Sequence, residues 1–109
     1  MFSNTFVFGL LAIPAALAAD CFGSGNPGVS TSDYQQVASQ VCNVGPDAVF
    51  QVGGNVVEAH YEGNAKIHCN DAFNNIISQC IQGSGRNGGQ WTWNDGRVQE
   101  LYWIQAITP

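Results

Sequence analysis

Three tryptophans, Trp91, Trp93 and Trp103, fall within residues 83–107 together with Arg86 and Arg97, two of the chain's three basic residues. These are residue types that recognise ligands. A sugar presents a face of C–H groups that packs on an aromatic ring, and hydroxyls that need planar amide or carboxylate partners able to donate and accept. The segment supplies both kinds, with Trp91, Trp93, Trp103 and Tyr102 for stacking and Asn87, Gln90, Asn94, Asp95 and Arg97 for hydrogen bonding. Trp91, Trp93, Asn94, Asp95, Arg97 and Trp103 are therefore the candidate ligand-binding residues. The competing role for the same tryptophans is core or dimer seam, where large aromatics bury the most area.

A second set, Glu58, His60 and Glu62, shares one face if the segment is a strand. A carboxylate beside an imidazole can do general acid–base work, and Arg86 or Arg97 could steady a phosphate-like transition state. That chemistry suits a small secreted ribonuclease, and Tyr61-Glu62-Gly63 resembles a tripeptide of the fungal guanyl-specific ribonucleases. The rest of their pattern is missing, and the simpler reading is a solvated strand face. Eight acids against three bases, a formal charge of −5, also disfavour nucleic acid, whose affinity comes largely from Lys and Arg. Glycoside hydrolysis needs two carboxylates across a cleft, and no pair is singled out by spacing. There is no Gly-x-Ser-x-Gly, no CxxC and no HxxxH; no catalytic residue, metal site or cofactor is expected.

The elements that position the tryptophans follow from local chemistry. Residues 83–89 are so rich in glycine that a loop is expected. Residues 90–93 and 97–107 are aromatic and β-branched, with the turn sequence Asn94-Asp95-Gly96 between them, which predicts a hairpin. Its register decides the faces, because a slip of one residue reverses every side chain. A two-residue Asp95-Gly96 turn puts Trp93 opposite Val98 and Trp91 opposite Glu100, on a face with Tyr102, Ile104 and Ala106. A three-residue loop puts Trp93 opposite Arg97 and Trp91 opposite Gln99, and gathers Trp91, Trp93, Leu101 and Trp103 on one face. Both registers stand at this level.

Residues 1–19 are apolar and end in Ala16-Leu17-Ala18-Ala19, the pattern of a secretory signal peptide. The alternative, a membrane anchor, needs about 20 apolar residues, whereas Pro14 interrupts this run. Removal of the leader leaves one domain, residues 20–109, secreted and not inserted in a membrane. Its four cysteines, Cys21, Cys42, Cys69 and Cys80, imply two disulfides in an oxidising compartment. Residues 23–29 are expected to form a loop. From Ser30 onward a Ser or Thr N-cap begins a first helix, which carries Tyr34, Val37, Ala38 and Val41 on one face and ends near Cys42. A hairpin turns at Gly53-Gly54-Asn55, with Val57, Ala59 and Tyr61 facing the core. A second helix starts at Cys69 or Asn70, buries Phe73, Ile76, Ile77, Cys80 and Ile81, and stops at Gly83.

Short connections make the two helices antiparallel. The end of the first then lies near the start of the second, which predicts Cys42–Cys69 and Cys21–Cys80, with Cys21–Cys69 and Cys42–Cys80 as the other arrangement. The fold class is α+β in αββαββ order, a four- to five-stranded antiparallel sheet with both helices on one face and the other face open. No Asn-x-Ser/Thr sequon is present.

The leader, the Cys21-Phe22-Gly23 opening before a helix, a Cys at each helix boundary, and the late Trp-rich strand pair together resemble a small secreted glycan-binding family of inky-cap mushrooms, the Y-three-like domain. The likeness spans nearly all of the mature chain and rests on layout. It implies a lectin-like protein of fungal origin that recognises glycans or glycoproteins bearing N-acetylhexosamine, has no catalytic centre, and is able to pair sheets edge to edge as a homodimer. A third class is a secreted effector or toxin acting on a protein, for which Leu101 and Trp103 on an open sheet face would be the contact.

Overall fold

The computed structural model describes residues 18–109. The expected signal peptide lies outside the described residues except for Ala18 and Ala19. Among the described residues five strands and two helices follow one another as β1 (Asp20–Gly25), α1 (Thr31–Asn43), β2 (Asp47–Val52), β3 (Asn55–Gly63), α2 (Cys69–Ile76) with a π-helical continuation (Ile77–Gly83), β4 (Arg86–Asn94) and β5 (Gln99–Ile107). All strand pairings are antiparallel, in the order β1-β4-β5-β3-β2. The α+β class, the two helices and both favoured disulfides are as the sequence predicts. Among the described residues no helix is long and apolar enough to cross a membrane.

Ser30 caps α1, its hydroxyl accepting from the Asp33 N–H at 3.2 Å, and the predicted stripe Tyr34, Val37, Ala38 and Val41 is buried. This helix packs on β2 and β3, and α2 packs on β4 and β5. The second helix departs from the expected regular α-helix after Ile76. Its wider π turns keep Ile76, Ile77, Cys80 and Ile81 all in the core. Cys21–Cys80 ties that segment to the edge strand β1, with Cα atoms 5.1 Å apart, and Cys42–Cys69 joins the end of α1 to the start of α2 at 5.6 Å. Between the layers lie Val57, Ala59, Phe73, Ile76, Trp91, Tyr102, Ile104 and Ala106. Tyr34 donates from the core to the Asn87 carbonyl at 3.0 Å, and burial pushes its phenol up to about 12.

Two expectations need correction. The glycine-rich stretch is a loop only to Gly85, and residues 23–25 likewise belong to strand β1 rather than to a loop. Gly88 and Gly89 sit in mid-strand because nothing larger fits on either face. A Cβ at Gly89 would lie 2.7 Å from Cys80 Sγ and 3.1 Å from Ile76 Cγ2; one at Gly88 would lie 2.6 Å from Phe22 Cε1. Steric demand overrides the weak strand propensity of glycine.

The hairpin register is the second correction, since neither pairing expected for it occurs. Asn94 pairs with Gln99, Trp93 with Glu100 and Trp91 with Tyr102, around a four-residue loop. Side chains hold that loop. Asp95 Oδ1 accepts from the Arg97 and Val98 N–H groups at 3.0 and 2.8 Å, and Asn94 Oδ1 accepts from Gly96 at 3.0 Å. Asn64, from the turn after β3, receives the Gln99 N–H at 2.9 Å and donates to the Arg97 carbonyl at 2.9 Å. The slip from the two-residue register is even, so its faces survive. Trp91 and Trp93 lie on the helix side, while Leu101 and Trp103 lie on the open side, and the gathering of all four on one face is overturned.

Candidate functional site

Strand alternation delivers Trp91 and Trp93 to the helical side at the far end of β4, beside α2. Across from them α2 and its π-helical continuation present Asp71, Asn74, Asn75 and Ser78, a polar stripe at helical spacing next to the buried stripe of Cys69, Ala72, Phe73 and Ile76. The two walls enclose a cleft of about 560 Å³ lined by His68, Asp71, Asn74, Asn75, Ser78, Trp91 and Trp93. Trp91 is its floor, only 1% exposed; Trp93 is half-buried at the rim. The indoles lie nearly parallel, 14° apart, with centroids separated by 6.3 Å.

His68, just before α2, stacks on Trp93 with centroids 4.3 Å apart. The ring is fixed from below by Glu100, whose side chain is 0% exposed. Glu100 accepts from the His68 backbone N–H at 3.0 Å, from His68 Nδ1 at 3.1 Å and from the Tyr102 hydroxyl. Burial pushes the Glu100 carboxyl up, but the bonds from Tyr102, from the His68 backbone and side chain and from the Ile67 N–H outweigh it and hold the group below its ordinary value. Tyr102 is pushed up, by burial first and then by its bond to Glu100. With Glu100 ionised, His68 Nδ1 carries the proton, so in the neutral ring Nε2 is an acceptor. Among the described residues the side chains of Asp71 and Asn74 are exposed and make no hydrogen bond, while Asn75 Oδ1 accepts from Gln79 Nε2 at 3.2 Å. The cleft thus offers an aromatic wall, a free carboxylate, amides and a hydroxyl.

The six residues singled out from sequence are not brought into one place. Trp91 and Trp93 line this cleft, and Asn94, Asp95 and Arg97 lie in or beside the loop at the end of the hairpin. Asp95 is committed to that loop: the Val98 and Arg97 N–H groups hold its carboxyl below the ordinary value, with a lesser contribution from the Trp93 indole. Among the described residues Trp93 Nε1 is buried without a close hydrogen-bond partner. Trp103 lies on the opposite face. Sequence reasoning missed His68, Asp71, Asn74, Asn75 and Ser78. The polar stripe 71/74/75/78 was available as a signal; the pairing of His68 with Glu100, 32 residues away, was not.

On the open face Glu58, His60 and Glu62 do point the same way. His60 Nδ1 bonds Asp47, and its Nε2 is 3.8 Å from Glu62. Arg86, which a phosphoryl-transfer role would have brought here, donates instead to the Gly23 carbonyl at 2.9 Å. Among the described residues no group of three or more His, Cys, Asp or Glu side chains could hold a metal ion. Protein-family models, curated proteins and solved structures contain no match to this chain.

Proposed function

We propose that the chain is a secreted, non-enzymatic carbohydrate-binding protein that takes a neutral glycan into the cleft between α2 and the end of β4. The observation that carries this reading is the facing of an aromatic wall, Trp91, Trp93 and His68, by the uncommitted polar groups of Asp71 and Asn74. A pyranose needs that combination, one apolar face and several in-plane hydrogen-bond partners. The cleft volume falls within the roughly 300–1,000 Å³ of small-ligand sites and suits a short oligosaccharide. Asp71 and the net charge of −5 disfavour acidic sugars. The resemblance in layout to the Y-three-like domain adds N-acetylhexosamine as the expected sugar and a fungal source. Two disulfides in a small domain are compatible with an extracellular setting, and the leader pattern supports secretion.

The test is a glycan array probed with the oxidised mature chain, with Trp93→Ala and with Asn74→Ala at matched folding. Selective binding that falls at least about tenfold in both variants is expected, from loss of ring stacking and of one polar partner. Equal binding by all three proteins, or a blank array, would sink the cleft as a glycan site and move the weight to a protein-targeting effector.

A further inference from the structure

Trp103 sits at the centre of the open face on the middle strand of the sheet, paired with Gln90 on one side and with His60 on the other. His60, held by Asp47, lies against the indole with centroids 5.7 Å apart and props one flank of it. Two residues along β5, Gln105 pairs with Gly88. Because Gly88 has no side chain, Phe22 from β1 lies down over β4 in the space a Cβ would occupy. Phe22 and Trp103 thereby become two aromatic walls, with Gln90 and Gln105 between them, around a depression of about 210 Å³.

The amides are set up for a ligand. Gln105 Nε2 donates to Glu58 Oε1 at 2.7 Å, which orients the amide and leaves its oxygen to accept. Among the described residues the Gln90 side chain makes no hydrogen bond, so it can both donate and accept. The volume is below the range of drug-sized pockets and on the scale of one sugar ring. Charge narrows the class. Asp20, Asp47, Glu58 and Glu62 all lie on this face by strand register, and the Arg86 guanidinium is tied to Gly23 at its far end. Uronic, sialylated or sulfated sugars would be repelled.

We propose that this depression is a second, independent site for a single neutral pyranose, with Trp103 as the stacking platform and Gln90 and Gln105 as its polar partners. It shares no residue with the cleft beside α2. The two lie on opposite faces of one sheet, so a single chain engages two glycans at once and can bridge them without a partner subunit.

The test is titration of ¹⁵N-labelled oxidised protein with methyl N-acetyl-β-glucosaminide into the millimolar range, following the indole N–H signals of Trp93 and Trp103 separately. Both signals are expected to shift. In Trp93→Ala the Trp103 shift persists, and in Trp103→Ala the Trp93 shift persists with unchanged affinity. Gln90→Ala, a milder change on the strand surface, weakens the affinity reported by Trp103 about fivefold, the worth of one hydrogen bond. A methyl sialoside leaves Trp103 unmoved. A Trp103 signal that stays still while Trp93 shifts overturns the second site and leaves the cleft standing. A Trp103 shift that disappears in Trp93→Ala also overturns it. A shift of Trp103 alone upholds this site and removes the cleft, and silence from both signals removes both.

Discussion

Replacing Glu100 by alanine removes an acceptor that serves several donors at once. The Tyr102 hydroxyl and the His68 backbone and ring N–H groups all end on this carboxylate, and Tyr102 is 0% exposed. Water can reach the His68 ring, but it cannot reach the phenol. Breaking a buried ionic group of this kind by removing one partner costs about 3–5 kcal/mol. For a domain of this size that lowers Tm by about 15 °C or more, as measured by near-ultraviolet circular dichroism with both disulfides intact. Glu100→Gln should cost only about 1–2 kcal/mol, because the amide keeps one acceptor and the imidazole can switch tautomer. The acid response separates the two roles of the group. A carboxyl held below its ordinary 4.5 in the folded protein contributes stability that is complete above that value and fades as pH falls through the lower, folded one. The advantage of wild type over Glu100→Gln should therefore narrow below pH 4.5 and stay constant above it. A loss under about 1 kcal/mol in Glu100→Ala, or an advantage that does not depend on pH, would refute this account of the buried carboxylate. Since Glu100 also fixes the ring that stacks on Trp93, any glycan affinity of the proposed cleft should fall in Glu100→Ala even where the protein remains folded.

Gly89→Ala should cost about 1–3 kcal/mol, read as a lower urea midpoint at unchanged slope, because the new methyl meets Cys80 Sγ at 2.7 Å; a wild-type midpoint would show that the helix layer yields freely. Removing either disulfide by paired alanines should cost about 2–4 kcal/mol, and the Cys21–Cys80 bridge, which spans 59 residues against 27, about 0.7 kcal/mol more in the chain-entropy model. The reverse order in chemical denaturation would mean that native-state strain or residual structure outweighs loop length.

The helices and the β2–β3 hairpin were legible because their signals are local. Tyr34, Val37, Ala38 and Val41 repeat at helical spacing, Val57 and Ala59 alternate, and each burial follows from the pattern. The disulfides were legible one step later, since short connections force antiparallel helices and bring Cys42 to Cys69. The second hairpin was not legible in the same way. Its loop length is set partly by Asn64, which grips the Arg97 and Gln99 backbones from another turn, and no window around residues 94–97 contains that information. Glycines 88 and 89 misled for a related reason, as the demand for small residues comes from Phe22, Ile76 and Cys80, all distant in sequence. The candidate site divided accordingly. Trp91 and Trp93 were found because tryptophan is conspicuous, whereas the polar stripe of α2 opposite them consists of ordinary residues that acquire a role only when β4 is laid beside it.

Among the described residues β5 comes after the other four strands in chain order, yet it lies in the middle of their sheet, between β3 and β4. During synthesis the four earlier strands emerge as two unconnected pieces, β2 with β3 on one side and β1 with β4 on the other. All four cysteines leave the ribosome before the strand that joins those pieces. Both cross-links can therefore close before β5 is in place, leaving between β3 and β4 the gap that this strand occupies. A chain cut short within β5 would keep its covalent framework and lose the seam that makes the two halves one surface.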